Sequence, residues 1–125
     1  RFRSITGKAY IHVQKDAESS ITILPGANQN LFPEDISSRE HLFEGCGYCL
    51  ISTEIPVETC ICAAETARKY GAQTIVKPAA LKTLPDKLLK NTDIFVPNRK
   101  EAALLCPQET EVDKQAAFFF SLAVR

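Results

Sequence analysis

The chain has 125 residues, of which 45% are hydrophobic, and this size supports one hydrophobic core and therefore one domain. Its 15 basic and 15 acidic side chains balance, so no overall field favours nucleic acid or an anionic membrane surface. The longest apolar runs, such as 116–120, are too short to cross a bilayer, and the absence of a secretory segment predicts a cytoplasmic protein.

Alternation of apolar and polar residues near the N-terminus predicts a β-hairpin. A strand over residues 8–14 places Ala9, Ile11 and Val13 on one face, and a second strand follows over 20–24. The segment after it contains Pro and Gly and ends the alternation.

The cysteines raise the question of a metal or redox site. Five of them, an odd number, indicate reduced thiols rather than a disulfide framework. Cys46 and Cys49 have the CxxC spacing of zinc and thiol-exchange motifs, but no second ligand pair of suitable spacing accompanies them. Cys60 and Cys62 lie in a predicted helix, where residues two apart point to nearly opposite sides. We interpret all of them as small buried residues, with zinc or redox chemistry as the alternative.

The rest of the chain alternates between helices and strands. The predicted elements are a helix over 33–44, a strand over 48–55, a helix over 56–70, a strand over 74–77, helical turns over 85–90, a strand over 94–97, and helices over 99–105 and 113–122. Strands separated by helices require parallel crossovers, so the fold class predicted is α/β, with helices covering a parallel sheet.

Three polar residues lie at the carboxyl ends of the predicted parallel strands, at the edge where α/β proteins bind ligands. These candidate site residues are Glu54, Lys77 and Asn98. Asn98 and Glu101 also have the spacing of a capping box, and a helix start at a sheet edge suits phosphate; the two interpretations are compatible. The alternative for the charged residues is simple exposure to solvent.

Several short motifs give the chain a specific resemblance. They are Thr6-Gly7-Lys8-Ala9, Ile23-Leu-Pro-Gly26-Ala27-Asn28, Glu54-Ile-Pro56-Val-Glu58, Leu84-Pro85-Asp86 and Pro97-Asn98-Arg-Lys-Glu101-Ala102. In this order and spacing they resemble the ribokinase family of sugar kinases across essentially the whole chain. The resemblance implies a three-layer α/β fold with a small β lid. Residues 1–28 would be the lid hairpin and 29–125 the α/β layer of one partial domain.

The same resemblance implies an activity. Family members transfer the γ-phosphoryl group of ATP to the primary hydroxyl of a sugar, usually with Mg²⁺. Ribose is the expected substrate, giving ribose 5-phosphate and ADP. Because ribokinases commonly dimerise through the lid, a homodimer through the N-terminal hairpin is expected.

On the sugar side, Glu54 resembles the carboxylate that accepts hydrogen bonds from sugar hydroxyls. The resemblance places Ala9, Ile11 and Ile23 among the apolar lid residues that lie against the sugar, with ordinary hairpin packing as the alternative.

On the nucleotide side, Asn98 resembles the Asn that holds the phosphates, and Glu101 resembles the Glu linked to Mg²⁺ through water. Lys77 begins Lys-Pro-Ala-Ala where the family has Asn-Pro-Ala-Pro, so a cation replaces an amide. It could pair with Glu54, add a positive charge for phosphate, or extend into water.

Other departures concern the turn and the catalytic motifs. Asp16-Ala17 stands where the family has a Gly after the Asp. The family's Gly-rich sugar motif would lie before Arg1, and its Gly-Ala-Gly-Asp motif, with the catalytic base and anion hole, after Arg125. We therefore expect the central portion of a sugar kinase, inactive on its own. The alternative is a non-catalytic module that binds a phosphate ligand or a partner through the hairpin and sheet edges.

Overall fold

The computed structural model describes residues 4–16, 19–79 and 81–123. Its first element is the predicted hairpin, in which β1 (Lys8–Val13) pairs antiparallel with β2 (Ser19–Leu24). The connecting turn contains residues 17 and 18, so the expectation about the Asp16-Ala17 turn lies outside the described residues.

The hairpin is joined to the rest of the chain through a sharp turn at Gly26. This residue has φ of +53°, and a Cβ atom there would lie 2.4 Å from the carbonyl oxygen of Ile5. Only glycine fits such a backbone without strain. The Ala27 N–H then donates to the Ile5 carbonyl over 2.8 Å, which fixes the start of a 3₁₀ turn over Gly26–Asn30.

The prediction of a single helix over residues 33–44 is wrong. The segment forms a short helix, α1 (Pro33–Ser37), and a separate 3₁₀ turn over Glu40–Phe43. The hydroxyls of Ser37 and Ser38 donate to backbone carbonyls three or four residues back, a competing interaction that disfavours helix continuation. Arg39 then leaves helical geometry with φ of −129°.

The main sheet is parallel, as predicted, with the strand order β3-β4-β5. Its strands are β3 (Tyr48–Ser52), β4 (Gln73–Lys77) and β5 (Ile94–Phe95), and the remaining helices are α2 (Val57–Lys69), α3 (Asp86–Leu89), α4 (Arg99–Leu105) and α5 (Val112–Ala123). β3 and β5 end earlier than predicted. The N–H groups of Thr53 and Val96 nevertheless each donate to a carbonyl of β4, so pairing extends one step beyond both strands.

The core lies between α2 and one face of the sheet. Ile51 and Val76 are neighbours on β3 and β4, and they pack with Cys60, Ala64 and Leu88. The small residues of α2 let the helix lie close to the strands, so the close packing of this core fixes the positions of the strand ends.

The opposite face of the sheet is different. Leu50 and Ile94 share this face through the register of the strands, and Leu50 is 75% exposed. The second helical layer of a three-layer fold is therefore not formed by the described residues. Within the described ranges, no helix is long and apolar enough to span a bilayer.

Candidate functional site

The carboxyl ends of the three parallel strands lie at one edge of the sheet. Lys77 is the last residue of β4, Glu54 follows β3 by two residues, and Asn98 follows β5 by three. All three sequence-predicted candidates are thus delivered to the edge where parallel α/β sheets bind ligands.

Two of these residues form one cluster together with Glu101. The Lys77 ammonium donates to Glu101 Oε2, and the Asn98 backbone N–H donates to the same oxygen over 2.7 Å. In return, the Glu101 N–H donates to Asn98 Oδ1 over 2.8 Å, which completes the predicted capping box. The Glu101 side chain is only 17% exposed, so its ion pair is partly shielded from water.

Glu54 remains apart from this cluster. It is exposed, and among the described residues no hydrogen bond or ion pair engages its carboxylate. The pairing of Lys77 with Glu54 that the sequence suggested does not occur in the structure, because the ammonium donates to Glu101 instead. The carboxylate of Glu54 is free to accept hydrogen bonds from a ligand.

The loop after β4 is held by a residue that sequence reasoning missed. The buried Thr53 donates its hydroxyl to the Ala79 carbonyl over 2.5 Å, and the Ala79 N–H turns back to the Lys77 carbonyl over 2.9 Å. Pro78, between them, is also fully buried. These contacts fix the backbone from which the Lys77 side chain extends. A Thr directly after an apolar strand was the available signal.

A cavity of about 430 Å³ adjoins the cluster and was also missed. Its walls come from β5, α3, α4 and α5, with Asn98 and Arg99 among the lining residues. Phe95 and Phe119 form part of its apolar side, with ring centroids 5.1 Å apart. The run of three consecutive Phe residues in α5 could have indicated the cavity, because consecutive residues point to different sides of a helix and cannot all pack into one core-facing side.

The hairpin residues assigned to the sugar lie on one exposed face. Ala9 is opposite Ile23 and Ile11 opposite Ile21, and directly opposed residues of an antiparallel pair share a face. Ile11 is 60% and Ile23 45% exposed. Their role as a cover for the sugar stays a prediction.

The cysteines are unpaired, but they are not uniformly buried. Cys60 and Cys106 are buried as predicted, whereas Cys46 is exposed, which corrects the interpretation of all five as buried residues. Burial raises the pKa of the Cys60 thiol to about 11. The pKa of Cys49 is also raised, mainly by burial and to a lesser extent by the nearby Cys46. Protonated thiols are poor nucleophiles and poor metal ligands.

The fit of the site to Mg²⁺ follows from its donor set. Across residues 4–16, 19–79 and 81–123, no group of three or more His, Cys, Asp or Glu side chains could hold a metal ion. Glu101 offers one carboxylate, and its Oε2 is already engaged by Lys77 and by the Asn98 N–H. Because Mg²⁺ keeps several of its waters, this geometry suits a water-mediated contact and not a direct protein cage.

A parallel sheet packed against helices, with polar and charged residues at its carboxyl edge, defines a protein of the α/β class. Comparison with known families makes this specific: residues 3–122 match the pfkB family carbohydrate kinase model. The chain belongs to this family.

Relatives and solved structures agree with the family. The chain is 40% identical over 124 residues to the bifunctional ribokinase/ribose-5-phosphate isomerase A of Fructilactobacillus sanfranciscensis, covering 96% of the chain and 23% of that protein. It is 32% identical over 124 residues to the ribokinase of Staphylococcus aureus, covering 96% of the chain and 41% of that protein. The Arabidopsis thaliana ribokinase complexed with ribose and ATP superposes with a TM-score of 0.80 at 29% identity, covering 98% of the chain and 41% of that structure. The ribokinase-like fold is thereby confirmed, and the chain spans less than half of each of these proteins.

Proposed function

We propose that these residues are the central part of an ATP-dependent kinase that phosphorylates ribose. The observation that carries the proposal is the division of the sheet edge into two parts. Glu54 is a carboxylate without a partner among the described residues, whereas Lys77, Asn98 and Glu101 form a charged cluster elsewhere on the same edge. A sugar has hydroxyls to donate and a nucleotide has phosphates to be held, so the two parts match the two substrates.

In this proposal Glu54 accepts hydrogen bonds from the sugar hydroxyls, and Ala9, Ile11 and Ile23 cover the sugar from the hairpin. Aligning the hydroxyl with the phosphoryl group is the main contribution that such residues can make to in-line transfer.

On the other side, Asn98 and Lys77 contact the nucleotide phosphates, and Glu101 orients Lys77 and meets Mg²⁺ through water. Bound with ATP, Mg²⁺ neutralises charge on the phosphates. We assign the base that deprotonates the sugar hydroxyl to a part of the kinase outside these 125 residues. A cytoplasmic location is part of the proposal, and the unpaired thiols support it.

Steady-state kinetics of the full-length protein test the proposal. Glu54→Ala should raise the KM for ribose more than that for ATP, because a lost acceptor leaves sugar hydroxyls unpaired at a cost of about 1–3 kcal/mol. Asn98→Ala and Glu101→Ala should instead raise the KM for ATP. Glu65→Ala, which removes an exposed carboxylate from α2, is the control and should change neither constant.

Equal losses for both substrates from Glu54→Ala would show that Glu54 is structural. A full-length protein that binds ATP but phosphorylates no sugar would instead favour the non-catalytic binding module.

A further inference from the structure

A divalent cation is expected near Glu101, where the end of β4 meets the start of α4. This carboxylate is already paired with the ammonium of Lys77, which is unusual for a cation site. The ammonium donates to Glu101 Oε2, and the Asn98 N–H donates to the same oxygen. The ammonium therefore lies against the one carboxylate that the cluster offers.

The ammonium is delivered from a fixed backbone. The Lys77 carbonyl accepts from the N–H groups of both Thr53 and Ala79, over 3.2 and 2.9 Å, and Pro78 is fully buried. The Lys77 side chain is 39% exposed and the Glu101 side chain is 17% exposed, so solvent screens the ion pair only in part. Because the backbone is held, the pair can be broken only by rotation of the Lys77 or Glu101 side chain.

The surrounding charges favour an anion over a second cation. The first turn of α4 carries Arg99 and Lys100 in addition to Glu101. Asp93 does not supply a second carboxylate here, because it precedes β5 at the opposite, amino edge of the sheet and accepts from the N–H of Thr74 over 2.7 Å. A divalent cation that approached Glu101 would thus meet Lys77 at contact distance without a second free carboxylate from this group.

We infer that Lys77 is the resident counter-ion of Glu101 and keeps divalent cations off this carboxylate in the free protein. A divalent cation then arrives with the nucleotide, whose phosphates draw the ammonium toward themselves and release Glu101. Lys77 is in this sense a positioning residue, because it determines when the Glu101 carboxylate becomes available to a divalent cation. The second step rests on the proposed function, whereas the first concerns the free protein alone.

The experiment measures Mn²⁺ binding to the intact protein by electron paramagnetic resonance, without nucleotide or sugar. Lys77→Met removes the ammonium and should tighten Mn²⁺ binding roughly tenfold, because a unit charge at contact distance is lost from a partly shielded site. Lys77→Arg keeps the charge and should bind Mn²⁺ as weakly as the natural protein. Lys82→Met, which removes an exposed lysine from the following loop, is the matched control and should have no effect.

The double variant Lys77→Met/Glu101→Gln ties the effect to the carboxylate, since it should lose the whole gain. Unchanged Mn²⁺ affinity in Lys77→Met, or a gain that survives in the double variant, would overturn the inference. Lys77→Gln provides a second neutral side chain in case the Met variant does not fold. A protein with no sugar kinase activity would still show the gain, so failure of the proposed function and failure of this inference are distinguishable.

Discussion

Cys60 lies in the core with its thiol directed toward the Ser52 carbonyl, at 3.8 Å, and none of its surface is exposed. Burial raises its pKa from 9.0 to about 11, so the folded protein holds this proton at pH values where the unfolded chain has lost it. The stabilising effect is complete below the unfolded pKa and disappears as pH rises through the folded pKa. The free energy of unfolding should therefore fall between about pH 9 and about pH 11.

Urea denaturation from about pH 8 to about pH 10.5 measures this slope. Cys60→Ala should lower stability at every pH but flatten the decline, because it removes the buried thiol. Identical slopes for the natural protein and Cys60→Ala would show that other groups dominate the alkaline transition.

The positions of single site residues could be predicted because each lies at or just beyond the carboxyl end of a strand. Glu54, Lys77 and Asn98 lie where the alternation of strands and helices requires, and the spacing of Asn98 and Glu101 gives the capping box directly. The partner of Lys77 could not be predicted. A long flexible side chain at a sheet edge reaches several acceptors, and only the three-dimensional position of α4 decides that it meets Glu101.

At the scale of elements, the first turn of α4 combines a structural and a proposed ligand-binding role in one residue. Asn98 Oδ1 accepts from the Glu101 N–H over 2.8 Å, so Asn98→Ala should lower the free energy of unfolding by about 1 kcal/mol. Asn98→Ser keeps an acceptor at the N-cap and should retain most of that stability. If the amide also contacts the nucleotide, the Ser variant should still have a raised KM for ATP.

Chemical denaturation and kinetics on the same two variants separate these roles. Equal destabilisation by Ala and Ser would argue against the cap, and an unchanged KM in the Ser variant would restrict Asn98 to a structural role.

Strong terminal signals account for the elements that were predicted well. α4 has the predicted bounds, and α2 departs from its predicted range by one residue at each end, where Pro56 precedes it and Gly71, with φ of +77°, follows it. The predicted helix over 33–44 failed because periodic apolar residues say nothing about serine hydroxyls that compete for backbone carbonyls. Local hydrogen bonding decided the outcome there, not the apolar pattern.

At the scale of the whole molecule, the parallel sheet follows from the order of strands and helices, but its coverage does not. Parallel sheets are normally covered on both faces. Here Leu50 and Ile94 lie exposed on the face opposite α2. The sequence could not reveal this, because apolar strand residues look alike whether their covering layer lies within the same segment or elsewhere.

The hairpin presents a second apolar surface, and it leads to a prediction about assembly. Ile11 and Val13 are 60% and 71% exposed, and Ile23 shares their face through the strand register. Apolar side chains on an exposed two-stranded ribbon, together with unpaired strand edges, favour association with another copy. We therefore expect the chain to self-associate through this hairpin face.

In sedimentation velocity, Ile11→Thr combined with Ile23→Thr should shift the protein toward monomer, because Thr keeps the strand preference while reducing apolar area. Tyr10→Thr, on the opposite face of the same strand, is the control and should leave the assembly intact. A natural protein that sediments as a monomer at its highest soluble concentration would contradict the prediction. An equal shift from Tyr10→Thr would mean that the hairpin associates without using this face.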